Sequence, residues 1–202
     1  MKNYLSILLL LIVSCNTKNE KATPNEAEEA TPATAISKDV HPIDPCTLLK
    51  SEQLATMFNI VNDSAIETYT RDMYGTTKQC QFIWQEEKGS VKGSQLLVII
   101  SSKEKDAGAT FSKMLQLDIE NGLSASENGE VINIKPTPLQ GFGDNAYHWT
   151  QPNFQNVQKI VFQVNNDYKV EIMFNCHKEI SIDQEDIKNK LIETGTLIKG
   201  KL

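Results

Sequence analysis

The residues of this chain best suited to chemistry are the pair Cys176-His177 and Met173, three residues earlier. A thiol, an imidazole and a thioether can form a soft copper(I) or zinc site, and a thiol beside an imidazole can act as a nucleophile. A metal site needs further ligands, and the other histidines, His41 and His148, stand at no ligand spacing from this pair. Nothing recognisable orients His177, so the sequence favours a buried or idle thiol. We therefore predict no catalytic residue, no metal site and no cofactor, and an enzyme that uses Cys176 and His177 is the weakest alternative.

A glycine-rich segment, Gly141-Phe142-Gly143-Asp144-Asn145-Ala146, formally matches the dinucleotide-binding pattern G-x-G-x-x-A. That pattern binds pyrophosphate when it lies between a strand and the N-terminus of a helix. Here Pro136 and Pro138 precede the segment, and Tyr147-His148-Trp149 after it predicts a strand. We therefore predict a glycine turn without a nucleotide.

Two further groups of side chains have both a functional and a structural interpretation. An aromatic rim for a sugar or a peptide would consist of Tyr147, His148, Trp149 and Phe154. Such residues are more often part core and part surface, which is the interpretation we favour. An acidic first turn of a helix consists of Asp183, Glu185 and Asp186. A favourable interaction with the helix dipole explains these three without a binding site.

The composition limits the class of protein that can present these residues. The chain has 202 residues, of which 40% are hydrophobic and 23% charged, and its net charge is -6. These values fit one soluble globular domain with extra segments, and they exclude a polytopic membrane protein, a collagen and a wholly disordered chain. An acidic pI near 5.2 argues against a nucleic-acid partner. Because Arg71 is the only arginine, a site built on paired arginine clamps is excluded.

The hydrophobic pattern of residues 45–202 predicts a single α+β domain with the element order α-βββ-α-βββ-α. We predict a proline turn capped by Asp44, a helix from Ser51, a helix over 107–121, and a last helix that opens with a capping box at Ser181-Ile182-Asp183-Gln184. Seven segments have strand patterns, one more than that order counts: 66–71, 79–85, 95–101, 131–134, 146–150, 157–165 and 168–175. Strands in consecutive runs favour antiparallel sheets with flanking helices. The two αβββ halves suggest a duplicated unit, with Phe82/Trp84 and Tyr147/Trp149 as matching pairs.

The first fourteen residues are typical of an export signal. Lys2 precedes an apolar run from Leu5 to Val13 that is too short to span a bilayer. The residues Ile12-Val13-Ser14-Cys15 resemble the lipobox of bacterial lipoproteins, in which a small residue precedes an invariant cysteine. The resemblance implies cleavage after residue 14 and acylation of the thiol and amine of Cys15, which would anchor the chain in a membrane. An ordinary signal peptide that ends in a chance cysteine is the alternative.

We predict that residues 15–44 form a lipidated, disordered tether. The segment is rich in Lys, Glu, Thr, Ala and Pro, so it cannot bury enough apolar surface to offset the entropy of ordering. Pulled straight, it would span about 100 Å. The predicted location is therefore the bacterial envelope, with the domain anchored to a membrane, in our expectation the outer one, and facing the periplasm or the cell surface.

Three cysteines lie in the predicted domain, and in an exported protein they permit one bridge and one leftover thiol. Three segments resemble the small exported lipoproteins of unknown function that are common in actinobacteria: Asp44-Pro45-Cys46-Thr47-Leu48-Leu49, Cys80-Gln81-Phe82 and Gly141-Phe142-Gly143-Asp144-Asn145-Ala146-Tyr147. Those proteins share a D-P-C-x-L-L start, a second cysteine on a strand and a G-x-G-D-x-A turn. The resemblance implies a bridge between Cys46 and Cys80 and a mixed sheet with flanking helices, and it implies no activity. Cys176 lies outside the pattern.

Taken together, these features predict a membrane-anchored envelope lipoprotein that acts as a non-catalytic binding or accessory module. Its partners are the membrane, through the N-terminal lipid, and an envelope protein or small molecule that the sequence does not identify. An immunity-type or inhibitor-type lipoprotein of the periplasm is the alternative function. A contiguous apolar or acidic patch on the folded surface would favour that alternative.

Overall fold

The computed structural model describes residues 40–61, 63–85, 93–104, 110–127, 130–151, 156–177 and 180–202. The predicted signal peptide, Cys15 and the predicted tether up to residue 39 lie outside the described residues. The predicted start of the second helix at residue 107 and the aromatic Phe154 lie outside them too. Within the described part of the chain, no helix has the length and apolar character needed to cross a membrane.

The structure confirms an α+β fold whose order of helices and strands roughly matches the prediction. The elements are a 3-10 helix Pro45–Thr47, α1 Ser51–Phe58, a 3-10 helix Asp63–Ala65, β1 Glu67–Asp72, β2 Thr77–Gln85, β3 Gly93–Ser102, α2 Phe111–Asn121, β4 Leu123–Glu127, β5 Glu130–Ile134, β6 Thr137–Pro138, β7 Tyr147–Gln151, β8 Asn156–Val164, β9 Tyr168–Cys176 and α3 Gln184–Lys199. The short strands β4 and β6 were not predicted. β6 contains Pro138, and a proline is tolerated there because β6 is an edge strand.

Seven strands form one sheet in the order β1-β2-β3-β9-β8-β7-β6, and β4 pairs with β5 in a separate hairpin. All neighbouring strands are antiparallel, so the mixed sheet that the family resemblance implies is wrong. The turn between β8 and β9 has Asn165 and Asn166 at φ 51° and 61°. Asparagine tolerates this left-handed region, and two such residues in succession make a tight hairpin turn, one residue earlier than the Asn166-Asp167 turn that the sequence predicts.

The two faces of the large sheet are covered differently. On the inner face, side chains of β2, β3, β8 and β9 pack against α1 and α3 and form the main core, which includes Phe82, Ile172 and Leu191. On the outer face, α2 places Leu115 against Tyr147 of β7 and Val161 of β8. The outer side chains of β2, β3 and β9 are only partly buried, whereas those on their inner faces are buried.

Apart from the edge strand β6, the strand order is symmetric about the boundary between β3 and β9, as a duplicated αβββ unit would require. A two-fold axis that relates these antiparallel neighbours stands perpendicular to the sheet and therefore leaves each face in place. However, α1 packs on the inner face and α2 on the outer face. The aromatic pair Phe82/Trp84 faces inward, whereas Tyr147 and Trp149 belong to the outer cluster. The symmetry therefore extends to the strand order only.

The start of α3 differs from the prediction. Its N-cap is Asp183, whose carboxylate accepts hydrogen bonds from the backbone N–H groups of Glu185 at 2.9 Å and Asp186 at 3.2 Å. The predicted capping box at Ser181 is therefore wrong. With the helix starting at Gln184, Ile180 and Ile182 remain in the preceding segment and pack against the core. At the other end of the domain, Asp44 caps the first 3-10 helix as predicted, by accepting from the N–H of Cys46 at 2.9 Å.

Candidate functional site

Cys176 and His177 lie at the end of β9, next to the start of β3. Cys176 is only 2% exposed and belongs to the inner core, and the N–H of His177 donates to the Gly93 carbonyl at 3.3 Å. Met173 belongs to the alternate set of β9 side chains, so it lies on the outer face, away from Cys176. Residues three positions apart on a strand lie on opposite faces, so the Met173 thioether and the Cys176 thiol do not meet.

The three histidines do not converge. Backbone contacts place His41 beside Ser102 at one end of β3 and His177 beside Gly93 at the other end. The ten residues of β3 separate these ends by roughly 30 Å. Among the residues that the structure describes, no three His, Cys, Asp or Glu side chains are grouped closely enough to hold a metal ion.

A surface depression of about 200 Å³ beside β3 and β9 is lined by Cys176 and His177 together with Ser94 and Gln95. It brings two titratable side chains together, which an enzyme of the Cys-His type would need. Its volume lies below the ~300 Å³ at which small-molecule sites usually begin. A larger groove of about 370 Å³ lies between α1 and α3, with Met57 and Leu197 along it and the carboxylates of Glu52 and Glu193 at its sides.

The glycine-rich segment is a structural turn between β6 and β7. Gly141 and Gly143 have φ values of 85° and 88°, which other residues rarely adopt. The next element is the strand β7, whereas a nucleotide-binding loop would lead into a helix. Phe142 is buried with its ring 4.7 Å from that of Phe162. A Cβ on Gly195 of α3 would approach the Phe142 ring to 2.9 Å, so the glycine lets the turn pack closely on the helix.

Among the described residues of the predicted aromatic rim, Tyr147 and Trp149 belong to the outer cluster, whereas His148 lies on the inner face. Tyr147 is buried under α2, and its hydroxyl donates to Asp118 at 2.8 Å. Burial first, and then this hydrogen bond, raises the pKa of Tyr147. His148 points to the opposite face, because successive side chains of a strand alternate.

The acidic first turn of α3 forms an ion pair within its own helix, since Asp186 pairs with Lys190 at 2.8 Å.

A buried polar network at β7, β8 and α3 was not predicted from the sequence. The amide nitrogen of Gln158 donates to both the carbonyl and the Oε1 of Gln184, each at 2.8 Å. Its Oε1 is therefore the acceptor for His148 Nε2 at 2.9 Å, which fixes the tautomer of the imidazole. Burial lowers the pKa of His148 and outweighs the opposing effect of its bond to Gln158. The network holds a neutral imidazole between sheet and helix and has a structural role.

The Sγ atoms of Cys46 and Cys80 are 2.02 Å apart, at the distance of a disulfide bond. This is the pairing that the family resemblance implies. The bridge joins the first 3-10 helix to the inner face of β2, where Cys80 is fully buried. Cys176, the third cysteine of the described residues, is buried and takes no part in this bridge.

The segment 67–77, which we call the edge hairpin, comprises β1, the turn that follows it and Thr77, the first residue of β2. All six residues of β1 are exposed. Three large hydrophobic side chains of this segment also face solvent, namely Tyr69 at 52%, Met73 at 40% and Tyr74 at 93% exposure. Arg71, which is exposed as well, lies between Tyr69 and Met73 in the sequence. Tyrosine, methionine and arginine are the residue types that protein interfaces favour over the rest of a surface.

The chain was compared with protein-family models, with curated proteins and with solved structures, and none of them matches.

Proposed function

We propose that this chain is a lipid-anchored protein of the bacterial envelope, and that its domain is a non-catalytic binding module that uses the edge hairpin to bind another protein. The observation that carries this proposal is the joint exposure of Tyr69, Arg71, Met73 and Tyr74 on one strand and its turn. Exposed apolar side chains concentrated in one segment are typical of interaction sites. An edge strand also offers unpaired backbone groups to a partner.

Two features support the location in the envelope. The N-terminal residues resemble a lipobox, and Cys46 and Cys80 lie at bonding distance in the domain that follows. Disulfides persist in oxidising compartments such as the periplasm and the cell surface, and they are rare in the cytosol of most bacteria.

Replacing Cys15 by alanine should release the chain from membranes into the soluble fraction, because the acylated cysteine is the proposed anchor. Cell fractionation followed by immunoblotting of the full chain measures the change. The matched control is Cys176→Ala, which removes a thiol without touching the lipobox and should leave the chain in the membrane fraction. A Cys15→Ala chain that stays with the membranes would show that the lipoprotein assignment is wrong.

A photo-cross-linking amino acid placed at Tyr74 of the full chain should form a protein adduct in intact cells, because the side chain lies at the tip of the proposed binding surface. The same amino acid at Val131, which is 78% exposed on β5, is the matched control and should give no specific adduct. Adducts are detected by immunoblotting and identified by mass spectrometry. The absence of an adduct at Tyr74 would refute the proposed binding surface.

The immunity-type or inhibitor-type function is a second candidate, and the apolar patch of Tyr69, Met73 and Tyr74 is the observation that favours it. It differs from the first candidate in the nature of the partner. The cross-linked protein would then be a toxin or an enzyme whose activity falls when the chain is added.

A further inference from the structure

We infer that the edge hairpin binds a second copy of this chain, through β1, in an antiparallel two-fold pair centred on Tyr69. The inference rests on the proposed function of the edge hairpin as a binding surface and names its partner. It follows from three properties of β1: its open edge, the order of its charges, and the lack of an ion-pair partner for Arg71 among the residues that the structure describes.

The open edge of β1 has a defined pattern of backbone groups. Within the described part of the chain, β1 is the outermost strand of the sheet and pairs with β2 alone. Just beyond the strand, the N–H of Met73 donates to the Thr77 carbonyl at 3.0 Å. Since hydrogen-bonded residues alternate in an antiparallel pair, the odd-numbered residues of β1 bond to β2. The N–H and C=O groups of Thr68, Thr70 and Asp72 then point to the open edge.

The sequence of β1 is complementary to itself. In an antiparallel pair centred on Tyr69, Glu67 lies opposite Arg71 of the second copy, and Arg71 lies opposite the second copy's Glu67. Thr68 faces the second copy's Thr70, and both have backbone groups that point to the open edge, so they can form the hydrogen-bonded pairs of the ladder. The two Tyr69 side chains meet at the axis. Two opposite-charge pairs and one aromatic pair thus form at once.

The neighbouring registers that the backbone allows do not pair these charges. A pair centred on Thr68 places Glu67 opposite Tyr69 and Arg71 opposite Ala65. A pair centred on Thr70 places Arg71 opposite Tyr69 and Glu67 opposite Met73. Charge complementarity therefore selects the register centred on Tyr69.

Arg71 has no ion-pair partner among the described residues, although its neighbour Asp72 pairs with Lys78 at 3.3 Å. The Glu67 carboxylate accepts a hydrogen bond from the Tyr69 hydroxyl at 2.6 Å and contacts no cation of the described domain. Within one chain, Glu67 and Arg71 are separated by about 13 Å along the strand, so they cannot pair with each other. A second copy brings each of them to its opposite charge.

Sedimentation velocity of the full chain in a mild detergent should show a monomer–dimer equilibrium. Glu67→Arg and Arg71→Glu each place like charges opposite each other twice, so each should raise the dissociation constant by about tenfold or more. The double variant E67R/R71E restores opposite pairs and should return to within about threefold of the original value. Asp72→Lys is the matched control: it makes the same charge change as Glu67→Arg, but in this register residue 72 lies opposite the uncharged Ile66 of the second copy, so the constant should change by less than about threefold.

Tyr69→Cys tests the register in intact cells, because residues opposite each other at the axis are close enough for a disulfide. The new thiol faces away from the Cys46–Cys80 bridge, which lies on the side of Thr70. Non-reducing electrophoresis should show a band of twice the chain mass for Tyr69→Cys and none for the control Val131→Cys.

Each of the other outcomes refutes the inference. A monomer at all concentrations, a double variant that fails to recover, or a dimer band for Val131→Cys of equal strength would exclude the Tyr69-centred pair. A cross-link from Tyr69→Cys or from Tyr74 to a different protein would exclude the second copy and keep the proposed function. If Tyr69→Cys forms no dimer and the photo-cross-linker at Tyr74 forms no adduct, both the second copy as partner and the proposed binding surface are excluded.

Discussion

Replacing Cys46 and Cys80 together by alanine should lower the free energy of unfolding by about 4 kcal/mol, as estimated from the entropy of closing a loop between residues separated by 34 positions. The bridge restricts the unfolded chain, which gains entropy once the bridge is absent. In a domain whose total stability is on the order of 5–15 kcal/mol, this loss is large. Urea unfolding of the double variant under non-reducing conditions measures it.

A thiol-free reductant provides the internal control. It should destabilise the original chain by a similar amount and leave the double variant unchanged. Cys176→Ala removes a buried thiol that takes no part in the Cys46–Cys80 bridge and should cost only about 1 kcal/mol. An original chain whose stability does not respond to the reductant would contradict the bridge.

Replacing Glu171 by glutamine should destabilise the domain by about 3 kcal/mol at pH 7. Glu171 lies on β9, where it pairs with Lys159 of β8 and with Lys169 at 2.9 Å. Its burial alone would raise the pKa of the carboxyl. The two lysines outweigh burial and lower this pKa to about 2, from an ordinary value of 4.5. The variant also leaves two half-buried lysines without their counter-charge.

The sign of the pH dependence follows from this lowered pKa. The unfolded chain binds a proton at Glu171 near pH 4.5, whereas the folded chain does so near pH 2. The stabilisation is therefore complete above pH 4.5 and is lost as the pH falls through 2. Urea unfolding at a series of pH values should show a shallower fall between pH 4.5 and 2 for Glu171→Gln than for the original chain.

The matched control for Glu171→Gln is Asp72→Asn, because Asp72 also pairs with a lysine, Lys78, but its side chain is 78% exposed. Exposed pairs contribute little, so this variant should change stability by less than about 0.5 kcal/mol. His148 has a lowered pKa and is present in both chains, so its own loss of stability below pH 6.5 should persist in Glu171→Gln. Equal acid sensitivity of the original chain and Glu171→Gln between pH 4.5 and 2 would contradict the proposed role of Glu171.

The sequence predicted the strands where alternation was strong. Cys80, Phe82 and Trp84 alternate with polar residues, and all three are buried on the inner face. β4, in contrast, has the sequence Leu-Ser-Ala-Ser-Glu, with too little hydrophobic contrast to indicate a strand. The α3 start was misplaced because Ser181 and Asp183 both suit an N-cap, and only packing of the preceding isoleucines decides between them.

The candidate binding surface was harder to predict than the fold. In a sequence, candidate functional residues stand out by chemical type, which favours Cys176, His177 and the aromatic residues near residue 148. The exposure of Tyr69 and Tyr74 depends on β1 being the last strand of the sheet, which is a property of topology. One signal was available: Glu67 to Arg71 has opposite charges placed symmetrically about a tyrosine, in a strand without a buried face.

The link between Cys46 and Cys80 also determines how the domain would respond to mechanical force. Tension applied to the chain ahead of residue 40 can peel away only residues 40–45 before it reaches Cys46. From there a covalent bond passes the load to β2, which β1 and β3 flank on both sides. Force applied from the amino-terminal side would therefore have to pull β2 out of the sheet. The helices between Cys46 and Cys80 should not unfold one after another before that happens.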